Sequence, residues 1–341
     1  MKALILIGDV RQRLSEIADG SVQTCVTSPP YWGLRDYGND GQIGLEQNPD
    51  DYVAQMVAVF REVRRVLADD GTCWLNLGDS YAAQRGGTAM PAETLAGGIA
   101  GHGDEKAHRG RRDNSINGGR QDDTSPEFRT NAVAHRNASA FGLKHKDLVG
   151  IPWRVAFALQ ADGWWLRQDI IWMKPNPMPE SVTDRCTKSH EYVFLLTKSA
   201  RYYYDSAAVA EPSMNLGTTD IRFGGSKYGD SEDPKHATKS GNVYTDSGTR
   251  NRRSVWSIAT KPFSGAHFAV MPEALVEPCI LAGSKPGDLV LDPFTGSGTV
   301  GVVALKHGRN FVGVELNPEY AELAHARIYD DGPLFNEVEV L

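Results

Sequence analysis

The chain has 341 residues, with 36 Lys and Arg against 43 Asp and Glu, and a formal net charge of −7. That length fits one large α/β domain with insertions, or two domains, and the composition is ordinary for a globular protein in water. No uninterrupted apolar run approaches the ~20 residues a membrane span needs, and the apolar stretch within residues 1–9 is too short for a signal peptide and has no small-residue cleavage site behind it, so no membrane partner is expected and a cytoplasmic location is the default.

Leu4 to Ile7 is a short apolar run ending in Gly8-Asp9, which predicts a buried strand with a polar tip. Val10, Leu14 and Ile17 fall at near-helical spacing and predict a short helix over 10–18. The strand-like run Val22 to Thr27 then enters Ser28-Pro29-Pro30-Tyr31-Trp32. Neither proline can donate a ladder hydrogen bond and both have a fixed φ, so the strand stops there. The product is a stiff loop at the carboxyl end of a strand, where open α/β sheets place their ligands. It offers the Ser28 hydroxyl, the backbone carbonyls of Pro29 and Pro30, and the Tyr31 ring. Acceptors beside an aromatic face suit a flat substrate that bears an amino group.

Gly33 to Gly44 reads as a loop beside that site. Asp50 or Asp51 can cap a helix to about Ala68, with Val53, Met56, Val57, Phe60, Val63 and Leu67 on one face. Asp69-Asp70-Gly71 ends it, and Thr72 to Leu77 is the next strand, closed by Gly78-Asp79-Ser80. Strands alternating with helices predict a parallel sheet. Residues 83–140 are polar and glycine-rich, with Lys106, Arg109, Arg111 and Arg112 clustered. They bury little core, so they read as an insertion that is mobile without a partner, either a surface loop or a nucleic-acid contact that orders on binding. A helix follows to about Ala161, with Val155, Phe157, Ala158 and Leu159 as core. Trp164 to Trp172 and His190 to Thr197 are strand-like, separated by a proline-rich stretch from Lys174 to Pro179. Residues 205–255 form a second polar segment ending in Arg250-Asn251-Arg252-Arg253, a solvated charge run or a target-recognition region.

Leu289 to Asp292 is an apolar strand with an acidic end, followed by Pro293-Phe294-Thr295-Gly296-Ser297-Gly298-Thr299. The glycines allow close backbone approach, and a helix starting near Thr299, with Val302, Val303 and Leu305 inward, brings free N–H donors. A second strand, Asn310 to Val314, ends in Glu315. An acid at that place is the usual device for holding two ribose hydroxyls. The third glycine of the dinucleotide fingerprint and the Gly-Lys-Ser/Thr of a P-loop are both lacking. The four cysteines are scattered without zinc spacing, so no metal is expected and a reducing compartment fits.

Ser28-Pro29-Pro30-Tyr31 resembles the Ser-Pro-Pro-Tyr motif of the DNA amino-methyltransferases, and Asp292 to Thr299 resembles the S-adenosylmethionine motif of the same family. His267-Phe268-Ala269-Val270-Met271-Pro272, ahead of a helix through about Leu281, resembles the segment that lies across the methionine part of that cofactor; Asp9 looks like the acidic position near its adenine. With the catalytic motif first and the cofactor motif last, the order is that of the circularly permuted beta class.

The resemblance implies a Rossmann-like methyltransferase fold, a mostly parallel α/β sheet with helices on both faces and two polar insertions, as a single catalytic domain over 1–341. It implies S-adenosyl-L-methionine held by Asp9, His267, Phe268, Asp292, Phe294, Gly296, Ser297, Gly298, Thr299 and Glu315, and catalysis by Ser28, Pro29, Pro30 and Tyr31. The Ser28 side chain and the Pro29 carbonyl would accept the two amine hydrogens, Tyr31 would stack on a flipped base, and Trp32 would wall the pocket or pack in the core. Serine at the first motif position is commoner among N4-cytosine enzymes, so N4 of cytosine is the expected target and N6 of adenine the alternative; an RNA methyltransferase or a non-catalytic DNA-binding module fits less well. The implied partners are double-stranded DNA, met by Arg109, Arg111, Arg112, Arg250, Arg252 and Arg253, and a cognate restriction endonuclease. Pro278-Cys279, which resembles the nucleophile pair of cytosine C5-methyltransferases, sits inside a predicted helix and reads as structural.

Overall fold

The computed structural model describes residues 1–34, 36–39, 41–82, 142–213, 221–222, 243–244, 248–260 and 270–341. The segment 83–140, with Arg109, Arg111 and Arg112, lies outside the described residues, and so do His267 and Phe268.

The first strand, β1 (Lys2–Ile7), ends at Gly8, and Asp9 caps α1 (Val10–Arg13) by accepting from the Arg11 N–H at 2.8 Å. A single 3₁₀ turn, Leu14–Glu16, extends it to the strand β2 (Val22–Thr27). The cap of α2 (Pro49–Val66) differs from the expectation: Asn48 Oδ1 accepts from the Asp51 N–H at 2.7 Å, while Asp50 and Asp51 sit in the first turn. Pro49, whose missing N–H is harmless at the first helical position, puts the cap one residue ahead of it, and the two acids then face the positive end of the helix dipole. Met56, Phe60 and Val63 are buried as expected, whereas Val53 and Val57 are only partly so.

Leu67 begins β3 (Leu67–Leu77) instead of ending the helix. The register runs from Val22 opposite Leu67 straight to Thr24 opposite Thr72, so Asp69-Asp70-Gly71 is a bulge within a strand and not the turn predicted. In α3 (Ile151–Ala161) Val155 and Leu159 are buried but Phe157 is 55% exposed and Ala158 half-buried. Two residues from both Val155 and Leu159, position 157 is rotated ~200° away from them around the helix.

Then come β4 (Trp165–Met173) and β5 (His190–Thr197). Within the polar segment 205–255 two short ladders form, β6 (Glu211–Pro212) against β9 (Thr249–Arg250) and β7 (Ile221–Arg222) against β8 (Val243–Tyr244). The end of that segment is not all loop, because β10 (Val255–Ser257) joins the main sheet with Trp256 opposite Trp172. The remainder is α4 (Glu273–Gly283), β11 (Leu289–Asp292), α5 (Thr299–Lys306), β12 (Asn310–Glu315), α6 (Pro318–Asp330) and β13 (Glu337–Val340).

Among the described residues, nine strands form one sheet in the order β10-β4-β5-β3-β2-β11-β12-β1-β13. Every neighbouring pair is parallel except the two that involve β5. One apolar cluster joins the sheet to α1, α2 and α3 through Val10, Met56, Phe60 and Val155. A second joins it to α4, α5 and α6 through Ile280, Val303 and Ile328. The mostly parallel sheet with helices on both faces is therefore present as expected, and the same sheet runs through both halves of the sequence.

Candidate active site

The strands β2 and β11 are hydrogen-bonded neighbours, with Cys25 opposite Leu291, so their carboxyl ends lie side by side. Thr27, the last residue of β2, donates its hydroxyl to Asp292 Oδ1 at 2.6 Å. This bond ties the two loops together across 265 residues of sequence. A cleft of about 1140 Å³ opens at these strand ends. Ser28, Pro29, Pro30 and Tyr31 line one part of it, and Asp9, Asp292, Phe294, Gly296, Ser297, Thr299 and Glu315 line another. Gly298 stands behind the lining, in the left-handed conformation (φ 78°) that starts α5.

The acids of this part are differently held. Asp292 is 2% exposed, and burial pushes its pKa up to about 7, with the Glu315 carboxylate adding to the rise and the bonds from Thr27 and the Phe294 N–H opposing it. Glu315 accepts from the Gly296 N–H at 2.7 Å and the Asn317 N–H at 2.9 Å; burial also raises its pKa. Asp9 is bound to the Arg11 guanidinium, which holds its carboxyl below the usual range despite partial burial. Arg327 from α6 braces the glycine turn, donating to the Ser297 carbonyl at 2.5 Å and the Ser297 hydroxyl at 2.8 Å.

In the Ser28 loop the Pro30 carbonyl is already used, accepting from Tyr52 Oη at 2.9 Å. The Tyr31 hydroxyl donates to Glu191 Oε2 at 2.7 Å and lies 3.4 Å from both Ser28 Oγ and Asn76 Oδ1. Burial raises the Tyr31 pKa well above its ordinary value, and the Glu191 charge adds to this. Burial would raise Glu191 as well, but the Lys174 ammonium paired to it, with hydrogen bonds from Lys174, Tyr31 and Asn76, holds it below the usual range. Gly78, at the end of β3, lies against the Tyr31 ring; a Cβ there would sit 2.5 Å from Tyr31 Cε2. Trp32 does not line the cleft: it is 3% exposed in the core and donates to the Glu46 carbonyl at 3.0 Å.

Glu191, Lys174, Asn76, Gly78 and Arg327 are not singled out by the sequence. The only hint of the first three is that each is a polar residue at the end of an apolar strand. Of the arginines assigned to DNA, Arg250 Nε lies 3.5 Å from Glu211 Oε2 and Arg252 stacks 4.6 Å over the Trp256 ring. Neither these two nor Arg253 lines the cleft. Cys279 is buried inside α4, its thiol donating to the Leu275 carbonyl at 3.3 Å, and burial raises its pKa. That is the structural role expected of it.

The family model described as DNA methylase matches residues 22–326. The Type II methyltransferase M.Cfr9I of Citrobacter freundii is 46% identical over 326 residues, covering 96% of this chain and 87% of that protein. M.SmaI of Serratia marcescens, also a Type II methyltransferase, is 46% identical over 324 residues, covering 95% and 90%. Among solved structures, the PvuII DNA methyltransferase (cytosine-N4-specific) has a TM-score of 0.59 at 17% identity, over 100% of this chain and 95% of that one. A putative DNA modification methylase of Thermus thermophilus, complexed with S-adenosyl-L-methionine, has a TM-score of 0.57 at 23% identity, over 99% and 98%. At these identities the two structures speak for the fold alone.

Proposed function

The chain belongs to the DNA amino-methyltransferase family, with the motif order of the beta class and S-adenosyl-L-methionine as methyl donor, and from that premise we propose that it methylates the exocyclic N4 of cytosine in double-stranded DNA, the base being flipped out of the helix. The observation that carries the choice of cytosine is Ser28 at the head of the cleft loop, where the adenine-N6 enzymes of the family more often have Asp or Asn.

The cleft suits that donor. Asp9, Asp292 and Glu315 line it; Asp9 is already paired with Arg11, and the buried Asp292 and Glu315 carboxyl groups favour a ligand with a cationic sulfur. Each Glu315 oxygen has spent one lone pair on a backbone N–H and retains another for a ribose hydroxyl. Phe294, Gly296, Ser297, Gly298 and Thr299 complete the proposed donor site, with His267 and Phe268 across the methionine part. When bound, S-adenosyl-L-methionine supplies an electrophilic methyl carbon on a cationic sulfur.

The protein's own work is on the base. An exocyclic amine is a poor nucleophile because its lone pair is delocalised into the ring. Ser28 Oγ and the Pro29 carbonyl accept the two amine hydrogens, which favours a pyramidal nitrogen with its lone pair aimed out of the ring plane. The Pro30 carbonyl, occupied by Tyr52, contributes rigidity to the loop. Tyr31, held through its hydroxyl, stacks on the base, and positioning supplies the rest.

In this reading the chain acts as one catalytic domain in the cytoplasm. Arg109, Arg111, Arg112, Arg250, Arg252 and Arg253 approach the DNA, and the two polar segments 83–140 and 205–255 are the candidates for reading the target. Relatives named Type II methyltransferases support a cognate restriction endonuclease as partner. Because Ser, Asp and Asn all supply an acceptor, methylation of adenine N6 is the second reading. The test is to incubate the protein with S-adenosyl-L-methionine and unmethylated DNA, digest to nucleosides and identify the product by mass spectrometry. N4-methylcytosine is expected. N6-methyladenine would overturn the target, and no methylated base despite donor binding would overturn the DNA substrate.

A further inference from the structure

We propose that Glu191 is a positioning residue that fixes the direction of a hydrogen-bond chain ending at Ser28, so that Ser28 presents lone pairs and not its proton to the amine of the target base. This rests on the reading of Ser28 as an amine acceptor, and it holds for cytosine and adenine alike.

A serine hydroxyl is ambivalent, because it can donate one hydrogen bond or accept two. An amine nitrogen that is to be methylated needs an acceptor, so a Ser28 proton pointing at it would be counterproductive. The proton must be kept elsewhere. The nearby group that can take it is Tyr31 Oη, 3.4 Å away, at the long end for a hydrogen bond; such bonds often tighten only once substrate is bound. Tyr31 can accept from Ser28 in a defined way only if its own proton is committed in another direction.

Two groups commit it. Glu191 Oε2 lies 2.7 Å from Tyr31 Oη, and an ionised carboxylate is acceptor-only. Asn76 Oδ1 lies 3.4 Å from the same hydroxyl, and its orientation is set because the Asn76 amide nitrogen donates to Glu191 Oε2 and to the Tyr192 carbonyl, both at 3.1 Å. The Tyr31 proton therefore has acceptors on the Glu191 side, and its lone pairs face Ser28. The chain runs Ser28 O–H to Tyr31 Oη, then Tyr31 O–H to Glu191.

The fixed direction depends on Glu191 being charged. Lys174, paired to its other oxygen and itself held 4.4 Å over the Trp172 ring, secures this at a buried position. No bond is made or broken along the chain, so Glu191 is neither base nor nucleophile. A glutamine at 191 would keep the shape but could turn an N–H₂ toward Tyr31, and the chain could then run backwards with the Ser28 proton aimed at the amine.

The test measures kcat, KM for DNA, donor Kd and Tm for Glu191→Gln, Glu191→Asp, Tyr31→Phe and the Glu191→Gln/Tyr31→Phe double variant of the full chain, on the DNA the wild type methylates. Glu191→Gln is expected to lower kcat ten- to hundredfold with KM and donor Kd within twofold. Glu191→Asp, which restores an acceptor-only group, should recover at least fivefold of that loss. Tyr31→Phe removes the link itself, so adding Glu191→Gln to it should change kcat by less than twofold. Should Glu191→Gln not fold, Glu191→Asp carries the same cycle, and its remaining deficit must vanish in the Tyr31→Phe background. The idea is overturned if Glu191→Gln keeps kcat within twofold of wild type, or if the two deficits multiply. Ser28→Ala separates the premise from the inference: wild-type kcat there overturns the role of Ser28, whereas a defective Ser28→Ala beside a fully active Glu191→Gln overturns the chain alone.

Discussion

Asp292 touches both loops of the cleft, and its ionisation is governed by that position. Burial lifts its pKa to about 7, against about 3.9 for an unfolded aspartate. The folded state thus binds this proton more tightly than the unfolded chain. Its contribution to stability is complete below about pH 4 and is lost as pH rises through about 7. In donor-free protein, the Tm of wild type relative to Asp292→Asn should therefore fall from about pH 4 to about pH 7 and level off above it; a flat difference would show that Asp292 ionises normally. A cationic donor acts in the opposite sense, since it favours the carboxylate, so donor affinity should rise with pH over the same window more in wild type than in Asp292→Asn. Gly78 makes a second case at this scale. Gly78→Ala puts a methyl 2.5 Å from Tyr31 Cε2, so the ring must shift and lose its bond to Glu191. A fall in kcat of about tenfold or more is expected, with donor Kd unchanged; unaltered kcat would mean the ring has room to move. The sequence names Ser28, Tyr31, Asp292 and Glu315 because each stands in a local motif. It is silent on Gly78, Asn76 and Glu191, whose meaning arises from packing against a loop 45 to 160 residues away.

The elements that periodicity can reveal are those long enough to repeat it. β1, β2, β4, β5, β11 and β12, and the helices α3 and α5, fall where apolar spacing and the breakers place them. β10 has three residues, too few for alternation to register, and it lies at the end of a polar run. The bulge in β3 is hidden for another reason: Asp-Asp-Gly is good turn chemistry, and only the pairing of Leu67 with Val22 makes it part of a strand. Helix packing carries its own prediction. α4 approaches the sheet through Gly283, where a Cβ would lie 2.6 Å from both Thr24 Oγ1 and Thr72 Oγ1. Those hydroxyls are buried and 2.9 Å from each other, so neither can yield without stranding a polar atom. Gly283→Ala should destabilise the protein by about 1–3 kcal/mol, the usual cost of overpacking, read as a lower urea midpoint at unchanged m. An unshifted midpoint would mean that the helix slides away at no cost.

At the scale of the molecule, adjacency of β2 and β11 turns two motifs at opposite ends of the sequence into one cleft, and charge then decides how DNA reaches it. A net charge of −7 repels a polyanion overall, so attraction must come from local clusters of Lys and Arg. The two clusters singled out in the sequence are not equivalent. Arg250 is already beside Glu211 and Arg252 is laid on Trp256, so part of their capacity is spent within the protein. Arg109, Arg111 and Arg112 stand with Lys106 in a stretch that also holds acids at Asp104, Glu105 and Asp113, and the excess of positive charge there is small but concentrated. If each of these three arginines sits on a phosphate, Arg109→Ala/Arg111→Ala/Arg112→Ala should flatten the dependence of log K for DNA on log salt by about 0.9 for each phosphate no longer neutralised, leaving donor Kd unchanged. Arg250→Ala/Arg252→Ala/Arg253→Ala should flatten it less and weaken the fold more, because a guanidinium engaged with a carboxylate or an indole releases fewer counterions and supports its neighbours. Equal slopes for wild type and the first triple variant would remove the 109–112 cluster from the DNA interface and leave the second cluster to carry it.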